Sequence, residues 1–306
     1  LRLLLHPLFH ALEQELYLRA QCPPFAGRAF STLYFGGGTP SLLRPQQLAA
    51  IISKVGATFG LLLAAEVSLE ANPATLWLAQ LRDLRKAGIT RLSVGVQSLQ
   101  EKELRTLGRL HTARQAKDTF DAARKAGFDN VGIDLIFAIP GQTTATWKET
   151  LREILAWQPE HISVYALTLE HNTPMARAVA SGSLSQVNPS AEASMFLLAH
   201  ELLTAGGYEH YEISNYALPG RRCRHNELYW RRHPYLGLGP SAHSFSGWER
   251  WWNHPNLRTY CRALSQGILP VAGNETLSRE QEDLERIMLG LRTAEGCDMR
   301  TCRRPL

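Results

Sequence analysis

The strongest constraint on this chain is the alternation of two hydrophobic periods. Short apolar, β-branched runs occur at residues 32–35, 67–69, 92–96, 131–136 and 162–167. Between them apolar side chains recur every three or four residues, as amphipathic helices require. Residues 76–87 are the clearest case, with Leu78, Leu81 and Leu84 on one face and Gly88 just past the end. Residues 113–126, followed by Gly127, repeat the pattern. A glycine there takes the left-handed conformation that closes a helix. Strand, helix and strand at this spacing predict βαβ units and a parallel sheet.

Such a sheet is either doubly wound or curled toward a barrel, and the polar residues favour the barrel. Each apolar run is read as ending in a short polar group: Gly36-Gly37-Gly38-Thr39, Glu70-Ala71-Asn72, Gln97-Ser98, Asp134, and Tyr165 with Thr168. A (β/α) barrel builds its site from successive strand ends, whereas a doubly wound sheet gathers the site at one switch point. After residue 170 the character changes. Residues 181–190 read as a Ser-rich linker before a helix at 191–205. The stretch 208–260 is dense in Tyr and Trp, with His210, His225, His233, His243 and His254 among them. A last helix is expected at 279–291, and the tail to Leu306 reads as the start of something further.

Composition excludes several classes. The chain has 306 residues, 44% hydrophobic and 20% charged, enough to bury a sizeable core. No apolar run approaches the ~20 residues of a membrane span, so no span is expected. Arg2, His6 and Pro7 interrupt the apolar start, which does not resemble a signal peptide. The chain begins with Leu1 rather than Met, and we expect it to be an N-terminally truncated piece. Cys22, Cys223, Cys261, Cys297 and Cys302 are scattered and odd in number, which suits a reducing cytoplasmic location. Cys297 and Cys302 near the end read as incidental.

Several groups of residues carry chemistry. The glycines at 36–38 either make a tight turn or let a ligand approach the backbone. Glu70 and Asp134 each sit between apolar neighbours, where a carboxylate is costly without donors. Each alone could serve a structural ion pair. Together with Gln97 they suggest a donor-rich ligand carrying an amino group and ribose hydroxyls. Residues 237–242, GLGPSA, match a dinucleotide fingerprint only superficially, because Pro240 removes a donor and no βαβ unit surrounds it. Residues 221–232 read RRCRHNELYWRR. That run suits RNA, or a flat anionic macrocycle with Arg at its propionates, or simply a solvated loop with Trp230 anchored in the core.

The ordered motifs GGGTPS, SLEANP, SVGVQS, LGRLH, GIDLIFAIPGQT, YEISNYA, HNELYW and YLGLGPSAHS resemble the HemW-type proteins of the radical S-adenosylmethionine (SAM) superfamily. The resemblance covers residues 3–296. It implies a partial radical-SAM (β/α)6 barrel lacking its first strand, over residues 1–180. An α+β heme-binding extension at 181–278 and the start of a truncated helical domain at 279–306 would follow. It implies SAM contacts at Gly37, Gly38, Thr39, Glu70, Gln97, Arg109 and Asp134, with Arg109 in a helix-like stretch, 107–111. His225, Tyr229 and Trp230 match the HNxxYW heme signature, with His225 the candidate iron ligand or else a hydrogen-bonding residue. His233, His243 and Cys223 are fallback ligands, and Arg221 and Arg222 would meet the propionates.

By this resemblance the chain binds heme and passes it to acceptor proteins. The alternative is an oxygen-independent coproporphyrinogen III oxidase. An RNA-modifying activity is a third class, but no nucleic-acid partner is expected. The family's CxxxCxxC, which holds a [4Fe–4S] cluster, is not among these residues; Cys22 stands alone. The chain as it stands is therefore expected to be inactive as an enzyme.

Overall fold

A computed structural model describes residues 2–298. Cys302 lies outside the described residues. The chain opens with α1 (Arg2–Ala20), β1 (Phe30–Phe35), a 3-10 turn (Pro40–Leu42), α2 (Pro45–Thr58) and β2 (Leu61–Ala71). It continues through α3 (Leu78–Lys86), β3 (Arg91–Gln97), α4 (Glu101–Thr106), α5 (Ala113–Lys125), β4 (Val131–Phe137) and α6 (Thr144–Trp157). Then come β5 (His161–Ala166), α7 (Pro174–Ala180), α8 (Pro189–Ala205), β6 (Glu209–Glu212) and β7 (Asn215–Ala217). The last elements are α9 (Arg224–Trp230), β8 (His243–Phe245), β9 (Glu249–Asn253), α10 (Leu257–Ser265), β10 (Val271–Thr276) and α11 (Arg279–Gly290).

Seven strands form one sheet in the order β1-β2-β3-β4-β5-β7-β6. The pairs β2–β3, β3–β4 and β4–β5 are parallel, while β7 pairs antiparallel with both β5 and β6. Five strands therefore lie side by side in chain order, with no switch point. A doubly wound sheet reverses direction at its centre; this one does not, so its right-handed crossovers all return on one face. The fold is an α/β half-barrel sheet of mostly parallel strands. A second sheet is antiparallel, in the order β10-β9-β8.

The two faces of the large sheet differ in kind. On β3, Leu92, Val94 and Val96 are fully buried, and Ile133 and Leu135 on β4 match them. α5 packs on β3 and α8 on β4, so this face meets helices. Each such side chain contributes roughly 1.5–3 kcal/mol on burial. The alternate positions, Ser93, Gly95 and Gln97, point to the opposite face because successive strand residues alternate. Helices start where hydroxyls can cap them: Thr112 with Gln115, Thr143 with Thr146 and Ser278 with Gln281 form reciprocal capping boxes.

Packing divides the chain into two compact units that do not follow sequence order. Among the described residues, one comprises 2–33, 46–66 and 224–298; the other comprises 34–45 and 67–223. The boundary therefore falls inside β1 and β2. The first unit has a core of Leu16, Phe25, Val55, Phe59 and Trp251. The helix expected at 191–205 begins two residues earlier, because Asn188 caps it and Pro189 fits its first turn. The helix-like reading of 107–111 is corrected. α4 ends at Thr106, and Gly108 takes φ +67°, which turns the chain out of the helix. Among the described residues no helix is long and apolar enough to cross a membrane.

Candidate functional site

In the unit formed by 34–45 and 67–223, the polar face of the sheet gathers most of the expected residues. Glu70 stands opposite Ser93 across β2–β3, and Asp134 opposite Ser163 across β4–β5. Ser93 Oγ donates to both oxygens of Asp134, each at 3.0 Å. Glu70 accepts from the Tyr34 hydroxyl at 2.9 Å and from the Gly37 backbone N–H at 3.1 Å. The glycine turn is thus tied to the carboxylate by its own main chain. Thr39 accepts from Asn72 Nδ2 at 3.3 Å.

Gly37 and Gly38 both have positive φ, +77° and +59°, and a Cβ on either would meet nothing within 4 Å. Their exposed backbone leaves an open cradle. Gly36 is the opposite case. A Cβ there would lie 2.6 Å from the Tyr34 ring and 3.0 Å from Glu70 Oε1. Gly36→Ala is expected to cost about 1–3 kcal/mol through that overlap. Gly56→Ala, in open space on α2, should be neutral or stabilising. Urea unfolding of the two variants checks this, and equal midpoints would remove the steric argument.

Gln97 ends β3 with φ +69°, after a register shift between Val94 and Gln97. The irregularity turns its amide back over Gly95, whose missing Cβ makes the space (2.8 Å to Nε2). Arg109 follows the α4 turn. His111 anchors that turn to β3, its Nε2 hydrogen-bonded to the Val96 carbonyl at 3.0 Å. Arg109 Nε is buried without a hydrogen-bond partner, and burial lowers the pKa of its guanidinium. A half-desolvated cation with an unsatisfied N–H calls for an anionic or acceptor group.

Asp134 is the most perturbed acid here. Burial pushes its carboxyl up to about 6; hydrogen bonds from Ser163 and Ser93 oppose that, and Glu70 raises it further. Tyr165 at the end of β5 is pushed up to about 12, first by burial and then by Asp134. Sequence reasoning missed Tyr34, Ser93 and Ser163. Period-two alternation carries the signal, since Ser93 and Ser163 occupy the strand positions facing Glu70 and Asp134. It also missed Glu103, a buried carboxylate that accepts from Ser98 (2.6 Å), Gln142 (2.9 Å) and Thr146 (2.8 Å). That cluster ties the turn after Gln97 to the start of α6.

His225, Tyr229 and Trp230 lie on α9, in the other unit. His225 Nδ1 shares a hydrogen bond with Thr32 Oγ1 at 2.8 Å, and Nε2 one with the Tyr229 hydroxyl at 2.9 Å. Burial pushes the His225 pKa down to about 4, so the ring is neutral near pH 7. The Tyr229 ring meets Tyr235 edge-on at 4.7 Å, and Tyr235 meets Phe245 at 6.0 Å. Trp230 is partly buried. His233 and His243 are exposed, the latter stacked on Trp252, and Cys223 is buried.

The basic run is largely committed to internal partners. Arg222 pairs with Glu209 at 2.9 Å, Arg231 with Glu227 at 3.0 Å, and Arg232 with Glu285 at 3.0 Å. Arg221 lies 3.7 Å from Asp129, and Arg224 donates to the Ala64 carbonyl. Arg221 and Arg222 therefore already face carboxylates in the structure. The GLGPSA segment is structural: Gly239 N–H donates to buried Glu15, and a side chain at Gly237 would collide with the His243 carbonyl.

Residues 25–154 match the model of the radical SAM superfamily. The chain is 39% identical over 288 residues to the heme chaperone HemW of Mycobacterium tuberculosis, covering 94% of this chain and 73% of that protein. This chain belongs to the HemW family. HemW of Synechocystis sp. is 38% identical over 288 residues, covering 92% of this chain and 70% of that one. Among solved structures, the radical SAM enzyme coproporphyrinogen III oxidase (HemN) of Escherichia coli matches with a TM-score of 0.80 at 27% identity. The match covers 94% of this chain and 68% of HemN.

Membership in the superfamily implies SAM and a [4Fe–4S] cluster. The polar face fits SAM: the glycine cradle, the Glu70 and Asp134 carboxylates, and the unsatisfied Arg109 Nε match a ligand with an amino group, hydroxyls and a carboxylate. The cluster does not fit these residues. Among the described residues no three His, Cys, Asp or Glu side chains converge to hold a metal ion, and Cys22, Cys223, Cys261 and Cys297 are not joined in disulfides.

Proposed function

We propose that this HemW family member binds heme and delivers it to acceptor proteins. The carrying observation is His225: a neutral imidazole flanked by a ladder of aromatic rings. Neutral imidazole is the form that ligates iron, and Tyr229 and Tyr235 offer flat apolar surface to a macrocycle. The HemW names of the relatives support the same reading. Titration of hemin into the protein is expected to give a Soret shift that His225→Ala loses, with affinity down at least about tenfold. An unchanged spectrum and affinity in that variant would move the ligand to His233, His243 or Cys223.

In this reading Gly37, Gly38, Thr39, Glu70, Gln97, Arg109 and Asp134 hold SAM, and Trp230 lines the heme side of α9. Bound SAM would supply a sulfonium centre; the residues of this chain orient it and keep water from its polar groups. The functional division follows the order barrel 1–180, extension 181–278 and helical start 279–306. The location in this reading is a reducing cytoplasm. A second reading, oxygen-independent coproporphyrinogen III oxidase, is favoured by the HemN match. Anaerobic turnover of coproporphyrinogen separates the two.

A further inference from the structure

We propose that Thr32 and Tyr229 form a two-sided latch on His225. Thr32 fixes the ring from the scaffold side, and the Tyr229 hydroxyl caps the nitrogen that heme iron takes. This rests on the reading of His225 as the iron ligand.

The asymmetry of the two hydroxyls carries the argument. Thr32 sits on β1 and is 8% exposed, and its β-branched side chain has few rotamers available. Its 2.8 Å bond to Nδ1 is therefore part of the framework. The Glu66 carboxylate adds to that framework by accepting the backbone N–H groups of Arg224 (3.3 Å) and His225 (3.2 Å). Tyr229 is 42% exposed and lies one helical turn beyond His225, its ring edge-on to the imidazole at 5.0 Å. A phenol so placed can swing away without unpacking a core.

A neutral imidazole has one donor and one acceptor nitrogen. With Nδ1–H donating to Thr32 Oγ1, Nε2 keeps its lone pair and accepts from the Tyr229 hydroxyl. Metal-bound histidines are oriented by just such a bond from the other ring nitrogen, and losing it typically costs 10–100-fold in affinity. Heme entry then means exchange at Nε2: the Tyr229 O–H···N bond breaks, the Fe–N bond forms, and no proton leaves the ring.

Hemin association by stopped flow and equilibrium titration, with electron paramagnetic resonance of the ferric complex, tests this on the whole chain. Tyr229→Phe keeps the ring and removes the cap; it should bind hemin about fivefold faster, the worth of one such hydrogen bond. Thr32→Val, nearly isosteric, should lose about tenfold in affinity and shift the g-values, and Thr32→Ser should restore both. Circular dichroism confirms folding of each variant, and Tyr229→Phe alters no buried packing. If His225→Ala loses the Soret band while Thr32→Val and Tyr229→Phe match the parent, the latch is wrong and the ligand assignment stands. If His225→Ala also matches the parent, both fall.

Discussion

Glu15→Ala is expected to destabilise the protein by about 3–5 kcal/mol, a large part of the stability of an ordinary fold. Glu15 is fully buried on α1. Its carboxylate accepts from the Tyr260 hydroxyl at 2.6 Å, Asn253 Nδ2 at 2.7 Å and Gly239 N–H at 2.9 Å, with Arg19 Nε at 3.7 Å. Arg19 is itself buried, lies over Trp251 and donates to Asn253 Oδ1. Removing the carboxylate leaves the Tyr260 hydroxyl and the Gly239 N–H without their acceptor and the buried Arg19 guanidinium without its counter-charge, and the cost of such orphans exceeds the net worth of the bonds. Glu13, exposed and 3.7 Å from Lys54, is the control; its alanine variant should change stability by under ~1 kcal/mol. Urea unfolding decides. A Glu15→Ala midpoint close to that of Glu13→Ala would mean that Glu15 does not hold α1, β9 and α10 together.

Asp134→Asn is expected to stabilise the fold at neutral pH by up to ~3 kcal/mol and to do little near pH 4. The folded Asp134 carboxyl titrates at about 6, against an ordinary value of 3.8. Between those values the folded chain keeps a proton that the unfolded chain has released. Stability therefore falls as pH rises through about 4 to 6, and the loss is complete above the folded value. Asparagine is neutral throughout, and its oxygen still accepts from Ser93. Unfolding free energies of parent and variant from pH 4 to 8 should diverge across that window; a constant difference would show that Asp134 is not held in the raised state. A group so costly when ionised is explained by a ligand that supplies donors to it. The same variant should thus weaken binding of a donor-bearing ligand such as SAM, stability gained at the expense of the site.

Local pattern was enough for the half-barrel. The five apolar runs became β1 to β5, and the helices between them appeared because a three-to-four-residue period buries one face only against a sheet. Glu70 and Gln97 were legible as polar groups at strand ends; Asp134, read the same way, lies instead at the middle of β4, paired with Ser163. The short strands β8 to β10 were not legible, since runs of three to six residues, HSF, ERWWN and VAGNET, carry no clear alternation. Arg109 was misread as helical because Leu107 and Leu110 fit a helical period, while Gly108 alone decided the turn.

What the sequence determined by itself is what depends on neighbours in the chain: period, caps, glycine turns and the order of strands. Partners across long separations were decided only by the tertiary structure. Glu15 looks like any helix-surface carboxylate until Tyr260, 245 positions away, closes over it. The arginines of 221–232 fit RNA, an anionic macrocycle or a solvated loop in the sequence, and only folding brought Glu209 to Arg222 and Glu285 to Arg232. Burial and charge pairing depend on which segments return to one place, and no local pattern encodes that return. For the same reason the sequence marked His225 as a candidate ligand, but only the fold placed a framework hydroxyl on one of its nitrogens and an exposed one on the other.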